Sequence, residues 1–216
     1  PDSDFDIRGA HLMPLRRVVS LLPARETLEF SGVRDGREID FVSHDATKVF
    51  GLMLKRNGYV MEQIFSPLGV VVGPLLDELR DIARGCFTRH LYHHYRGFFE
   101  NQLHLMSKET PKRVKTLLYV YRVALTGIHV LAGGGIESNL PRLLELHPLD
   151  TRVRDLLAAK AREKSALEEA ELAAHGAIIE SLRVRLEEAF NSSTLPEEPC
   201  RARDLDEFLV RLRISP

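Results

Sequence analysis

The sequence predicts an α+β fold, with a small mixed β-sheet in front and a helical body behind. Three observations carry that reading. Residues 4–12 begin with period-two alternation of polar and apolar side chains, the pattern of a half-buried strand. Residues 27–43 hold two further alternating stretches separated by Arg34-Asp35-Gly36, and Asp-Gly between alternating runs is a hairpin signal. Beyond residue 44 the strand signals nearly vanish and helical spacing of apolar residues takes over.

Taken in order, the first strand covers 4–12. Pro14 opens a short amphipathic helix over Leu15–Leu22, closed by Pro23. The hairpin strands run Thr27–Val33 and Arg37–Ser43. Asp45 stands as N-cap of a helix over 46–56 that stops at Asn57-Gly58, and a helical turn follows around Val60–Phe65. Pro67, Gly69 and Gly73 punctuate a loop in which Val70-Val71-Val72 reads as a short edge strand. Helices are predicted over 74–85, 87–107, 111–132 and 141–146, with Gly133-Gly134-Gly135 as the break between the last two. Residues 150–190 read as a hairpin of two charged helices, Asn191–Pro199 as a polar linker and 204–212 as a closing helix.

Composition sets outer limits. The chain has 216 residues, 44% hydrophobic and 28% charged, the profile of an ordinary globular protein with a real core. A net charge of −1 gives no global basic field for nucleic acid, though a local basic cleft remains compatible with it. Cys86 and Cys200 are far apart and in no C-x-x-C pattern, so a reducing cytoplasm is the simpler setting than a disulfide framework. No apolar run reads as a bilayer span, and no signal peptide precedes the first strand. The absence of tryptophan argues weakly against carbohydrate stacking. The chain starts at Pro1 without an initiator Met and enters a strand almost at once, which leads to the expectation of an upstream piece.

The chemistry concentrates in three aspartates. Asp4 and Asp6 stand two apart on a strand, so both side chains leave the same face, while Phe5 and Ile7 point to the other. Asp40 has the same setting between Ile39 and Phe41. If the two strands are neighbours, three carboxylates converge on one side of a sheet, where they repel one another unless cations compensate them. Hard oxygen ligands suit Mg²⁺, and two such ions can activate an attacking oxygen and stabilise a leaving pyrophosphate. The plainer reading is three outward-facing strand aspartates, against which stands the depletion of Asp in strands.

These residues carry a resemblance. Ser3-Asp4-Phe5-Asp6-Ile7 resembles the S-D-x-D-hydrophobic signature of the polymerase-β nucleotidyltransferase superfamily, and Ile39-Asp40-Phe41-Val42 resembles its third-carboxylate strand. More narrowly, Pro1 to Gly9, together with Asn57-Gly58-Tyr59-Val60-Met61-Glu62 and the helix Lys112–Leu131, is similar to a bacterial branch described as an RNA-repair polymerase-β family. The resemblance covers about residues 1–147. It implies a nucleotidyltransferase core in 1–70 and a helical nucleotide- or substrate-binding part in 71–147; residues 148–216, which it does not reach, read as a helical C-terminal extension. It also implies two Mg²⁺ ions, with Mn²⁺ as an alternative, held by Asp4, Asp6 and Asp40. The substrate would be an NTP, ATP first, and the acceptor an RNA end, with a protein or small-molecule hydroxyl as alternatives. One departure stands out. The superfamily carries an upstream Gly-Ser motif that holds the triphosphate, and this sequence contains no Gly-Ser dipeptide; the expected upstream piece is where it would lie.

Basic residues supply the remaining candidates. Lys108, Lys112, Lys115, Tyr119 and Arg122 recur at helical spacing as one polar stripe, suited to triphosphate and base contact or equally to a solvated face. Arg8 alternates with Asp4 and Asp6 and is placed to reach a phosphate, to orient a carboxylate, or simply to close a strand-end salt bridge. Glu62, in a short apolar segment, is either a bracing buried carboxylate or an exposed helical one. Cys86, His90 and His94, with His93 nearby, share a helix face, but a structural zinc needs a fourth ligand from a second element and none is evident. The leucine-rich face of 150–190 is suited to packing or to self-association into a homo-oligomer, and equal acidic and basic content disfavours a membrane surface. A non-catalytic nucleotide-binding or scaffold protein, working through that helical tail, is the rival to an enzyme.

Overall fold

The computed structural model describes residues 5–22, 24–161 and 166–214. Asp4, the first of the three candidate carboxylates, lies outside the described residues. The architecture is α+β: a three-stranded mixed sheet and ten helices among the described residues. Contacts divide the chain into two compact units, residues 1–86 with 199–216, and residues 87–198.

The first unit opens with β1 (Phe5–His11), a single helical turn α1 (Leu15–Val18), and the hairpin β2 (Thr27–Arg34) and β3 (Arg37–Asp45). The hairpin turn uses Asp35 and Gly36, both at positive φ (53° and 74°), the conformation a two-residue primed turn demands. β3 lies in the middle of the sheet, parallel to β1 and antiparallel to β2. α2 (Ala46–Leu54) follows β3 directly; the Asp45 side chain accepts from the Thr47 N–H and caps it. The chain then turns at Arg56, held at φ 65°. Asn57-Gly58, expected to stop this helix, instead starts α3 (Gly58–Ile64): the Asn57 side chain accepts from the Val60 N–H. Asn serves at either end of a helix, and only the backbone that follows decides which.

Val70-Val71-Val72 is not a strand. These residues sit in bends, 80%, 92% and 59% exposed. β-branched propensity is expressed only where a partner strand exists to pair with. The first stretch of the unit ends with α4 (Leu76–Arg84).

The second unit is helical: α5 (Leu91–Lys108), α6 (Val114–Leu131), α7 (Leu140–Leu146), α8 (Thr151–Ala161) and α9 (Glu169–Ser192). α6 is its axis, packed by α5, α7, α8 and α9. Contrary to the expectation that no run reaches bilayer length, α6 is long and apolar enough to cross a membrane, yet 72% of it is buried inside the fold. It is the core helix of this unit. At Gly127 α6 meets its neighbours closely; a Cβ there would stand 2.7 Å from Tyr95 and 2.9 Å from Leu186. α6 stops at the glycine run, where Gly133 adopts φ 83° and Gly134 lies against the His129 ring, with no room for a Cβ. Leu156, Ile178, Leu182 and Leu186, read from sequence as a packing or self-association face, are buried within this unit.

α10 (Ala202–Ile214) belongs to the first unit and packs on α4 and α2, with Phe208 and Phe50 rings 5.8 Å apart. Near its end Arg213, 7% exposed, pairs with the 1%-exposed Asp45 and donates to the Met13 carbonyl and the Thr47 hydroxyl. Burial raises the Asp45 carboxyl, but Arg213 and the N–H groups of Met13 and Thr47 outweigh it and hold it at about 2. One ion pair thus joins the last helix to the strand–helix corner of the sheet.

A candidate carboxylate site on the sheet

Register decides which side chains share a face. β1 and β3 pair so that Asp6 stands directly opposite Asp40. Parallel strands lie about 4.8 Å apart, and side chains at paired positions leave the same side. Across β3, Ser31 of β2 opposes Asp40, Glu29 opposes Val42 and Thr27 opposes His44. One face therefore carries Asp6, Arg8, Asp40, His44, Thr27, Glu29 and Ser31. Phe5, Ile7, Ile39, Phe41, Leu28 and Phe30 occupy the other, by the same alternation.

The two carboxylates are open to solvent, with side-chain exposures of 76% for Asp6 and 48% for Asp40. Arg8, two residues beyond Asp6, lies over both. Its Nη2 donates to Asp40 Oδ2 at 2.7 Å and stands 3.6 Å from Asp6 Oδ1. Its Nη1 donates to the carbonyls of Asp40 (2.9 Å) and Ile7 (3.1 Å), and its Nε donates to the Tyr59 hydroxyl at 3.0 Å. Burial pulls the Arg8 guanidinium down, and the bonds to Asp40 and Tyr59 more than reverse it, leaving the pKa above its ordinary value. Among the readings open to Arg8 on sequence grounds, the contact the structure holds is an ion pair with Asp40.

A second cluster occupies the far end of the same face. Lys48 on α2 donates to the Thr27 hydroxyl at 2.8 Å, and Thr27 Oγ1 lies 2.9 Å from His44 Nδ1. The His44 pKa is lowered, first by burial and then by the Lys48 charge. The ammonium leaves the Thr27 proton free to point at Nδ1, so the neutral imidazole carries its own proton on Nε2. Nothing in the sequence reading pointed to Thr27, His44 and Lys48. Tyr59 was visible only as part of the Asn57–Glu62 motif, with no role attached.

Asp6 and Asp40 fit a divalent cation in donor type and placement: hard oxygens, in register, exposed. Asp40 Oδ2 is engaged by Arg8, while its other oxygen makes no hydrogen bond among the described residues. Among the described residues no group of three or more His, Cys, Asp or Glu is placed to hold a metal, a statement that does not reach Asp4.

The basic stripe is interrupted. α6 begins at Val114, so Lys108 is the last residue of α5 and Lys112 lies between the helices. Lys112 Nζ donates to the carbonyls of Ser107 (2.7 Å) and Glu109 (2.8 Å), closing the end of α5 where carbonyls are unpaired. Lys115, Tyr119 and Arg122 do share a face of α6. Lys115 is exposed, and the Arg122 guanidinium lies 4.4 Å above the Tyr119 ring. These residues belong to the second unit and Asp6 and Asp40 to the first. Glu62 is half-buried on α3. The histidines and cysteine weighed for zinc have separate partners. His90 Nε2 pairs with Glu197, His94 packs edge-on against Tyr95 and Phe98, and the Cys86 thiol donates to the Ile82 carbonyl at 3.6 Å.

Comparison with known proteins supplies a family. An uncharacterized protein of Methanocaldococcus jannaschii is 28% identical over 197 residues, covering 91% of this chain and 81% of that protein. No solved structure matches. The profile of the RNA repair pathway DNA polymerase beta family matches residues 1–211, nearly the whole chain and well past the reach of the motifs read from sequence. The in-register Asp6–Asp40 pair thus sits on a chain that belongs to the RNA repair pathway DNA polymerase beta family, a polymerase-β-like nucleotidyltransferase family.

Proposed function

We propose that this protein transfers a nucleoside monophosphate from an NTP, ATP first, to an acceptor hydroxyl with release of pyrophosphate. The observation that carries the reading is the register of Asp6 on Asp40, which puts two exposed carboxylates on one sheet face in a chain of this family. Family membership implies an NTP substrate and divalent metal use in general; the description of the family as an RNA repair group supports an RNA end as acceptor.

Asp6 and Asp40, with Asp4, would hold two Mg²⁺ ions. When bound, these supply charge neutralisation at the attacking and leaving oxygens. Asp40, kept in place by Arg8 through one oxygen, presents the other toward an acceptor hydroxyl and is the group to take its proton. Arg8 fixes that orientation from the strand itself. Lys112, Lys115, Tyr119 and Arg122 are proposed as nucleotide contacts on chemistry alone: two ammonium groups, a ring for a base and a guanidinium fork. Catalysis in this scheme is positioning and charge stabilisation.

The test is Mg²⁺-dependent pyrophosphate release from each of the four NTPs in the presence of an RNA oligonucleotide, on the native protein and on Asp6→Asn and Asp40→Asn. Each substitution is expected to lower turnover by about 10²–10³-fold, the cost of losing one electrostatic stabiliser, with unchanged circular dichroism because both side chains are exposed. Turnover that survives both substitutions rejects the site. Absence of NTP binding in the native protein favours a scaffold working through the helical unit.

A further inference from the structure

We infer that Arg8 is a built-in counter-charge: it lets the carboxylate pair stand in register without a cation, and it keeps that pair from retaining a free divalent ion, so that the metal enters together with a triphosphate. The inference rests on the nucleotidyl-transfer reading of the same site and adds an order of binding to it.

Two bare carboxylates on adjacent strands repel. In this structure a single guanidinium answers both, at 2.7 Å from Asp40 and 3.6 Å from Asp6. It is not a surface arginine that happens to fall there. Its side chain is 25% exposed against 76% and 48% for its partners. Three of its bonds do not involve carboxylates at all: the carbonyls of Ile7 and Asp40 accept from Nη1, and the Tyr59 hydroxyl accepts from Nε. A guanidinium tied to the backbone of two strands is held in place, because leaving would give up both of those bonds and the one to Tyr59.

The consequence is electrostatic. Arg8 cancels one of the two negative charges that the described pair offers a cation. Asp4, where it contributes, adds the same charge with or without Arg8. A free divalent ion therefore meets a half-neutralised site. A metal–triphosphate complex brings its own oxygen ligands and needs fewer from the protein. Arg8 is in this sense a positioning residue, acting on Asp40 and on the ion's affinity rather than on the reacting atoms.

The experiment is Mn²⁺ binding by electron paramagnetic resonance, with and without a non-hydrolysable α,β-methylene ATP analogue. The variants are Arg8→Gln, Tyr59→Phe and Asp6→Asn. The native protein is expected to bind Mn²⁺ about tenfold more tightly with the analogue than without. In Arg8→Gln the affinity for Mn²⁺ alone is expected to rise about five- to tenfold, the order expected for removing one screened unit charge a few ångströms away, and the analogue then adds little. Tyr59→Phe, which removes only the Nε acceptor, is expected to shift nucleotide-free affinity the same way by about twofold, and it decides the matter if Arg8→Gln does not fold. Unchanged or weaker Mn²⁺ binding in these variants, with loss of analogue affinity, overturns the inference and makes Arg8 a phosphate ligand. If Asp6→Asn alters neither metal nor nucleotide binding, the nucleotidyl-transfer reading fails first and this inference falls with it.

Discussion

The two units hold themselves together differently. In the helical unit the large side chains are sealed: Tyr95, Phe99, Leu117, Tyr121, Leu125, Leu143, Leu182 and Leu186 are all below 2% exposure. In the sheet unit much apolar surface stays open, including Phe5, Leu28, Phe30 and Val33 on the strands and Leu21, Leu22, Val70 and Val71 in the connections. Its buried core lies among α2, α3, α4 and α10, and its sheet is tied to that core by hydrogen bonds and the Asp45–Arg213 pair. Close packing is expensive to disturb anywhere and leaves no room for charge. A unit with exposed carboxylates on its sheet has less area to seal, and it relies on a few directional contacts. The difference separates a unit that is sealed from one that leaves its proposed site open.

Three perturbations test that contrast, the largest first. Leu186→Ala, which empties space beside Gly127 and Tyr95 in the sealed unit, is expected to cost about 3–4 kcal/mol, the middle of the range for buried leucine truncation. Urea unfolding followed by circular dichroism measures it; a cost below about 1 kcal/mol would mean the site collapses freely and the packing is looser than the burial implies. Arg213→Met leaves Asp45 buried without its partner. It is expected to cost about 3 kcal/mol, read by hydrogen exchange as faster opening of α10 and α2 amides with α6 amides unaffected. Equal acceleration in α6 would break the contrast, because the two units would then be one cooperative block. The smallest effect is acid sensitivity. Asp45 titrates at about 2 when folded against an ordinary 3.8. A depressed carboxyl contributes stability that is full above the unfolded value and disappears as pH falls through the folded one. About 2 kcal/mol should therefore be lost between roughly pH 4.5 and 2. In Arg213→Met the loss in that window should be much smaller, and an unchanged acid profile would assign it to other groups.

How much of this was legible in the sequence depended on range. Phe5-Asp6-Ile7 and Ile39-Asp40-Phe41 declare their faces by alternation, Asp35-Gly36 declares its turn, and Asp45 declares its cap, because each signal lies within a few residues. That β3 would sit between β1 and β2, and parallel to β1, is not a local property; alternation says which face a side chain takes, not which strand lies beside it. Arg8 reaches Tyr59 across 51 positions and Arg213 reaches Asp45 across 168, separations at which single-sequence spacing is silent. The basic stripe is continuous in spacing but not in structure, for a different reason. Helical spacing runs through Lys108 and Lys112, but the segment around Pro111 interrupts the helices, so Lys112 lies off α6 and bonds the carbonyls at the end of α5. Val70–Val72 shows the same limit in reverse, a strong strand propensity with nothing to pair against.

Tyr59 gives the sheet unit an unplanned optical handle. The chain has no tryptophan and five tyrosines, and Tyr92, Tyr95, Tyr119 and Tyr121 all lie in the helical unit. The one phenol in the sheet unit accepts a hydrogen bond from the arginine that bridges Asp6 and Asp40. Its near-ultraviolet band therefore reports the electric field at the carboxylates, without the indole absorption that swamps such a signal in most proteins. Tyr92, Tyr95 and Tyr121 are buried in the helical unit and Tyr119 is half-exposed there, so a difference spectrum taken as a ligand is added follows arrivals at that face by light alone.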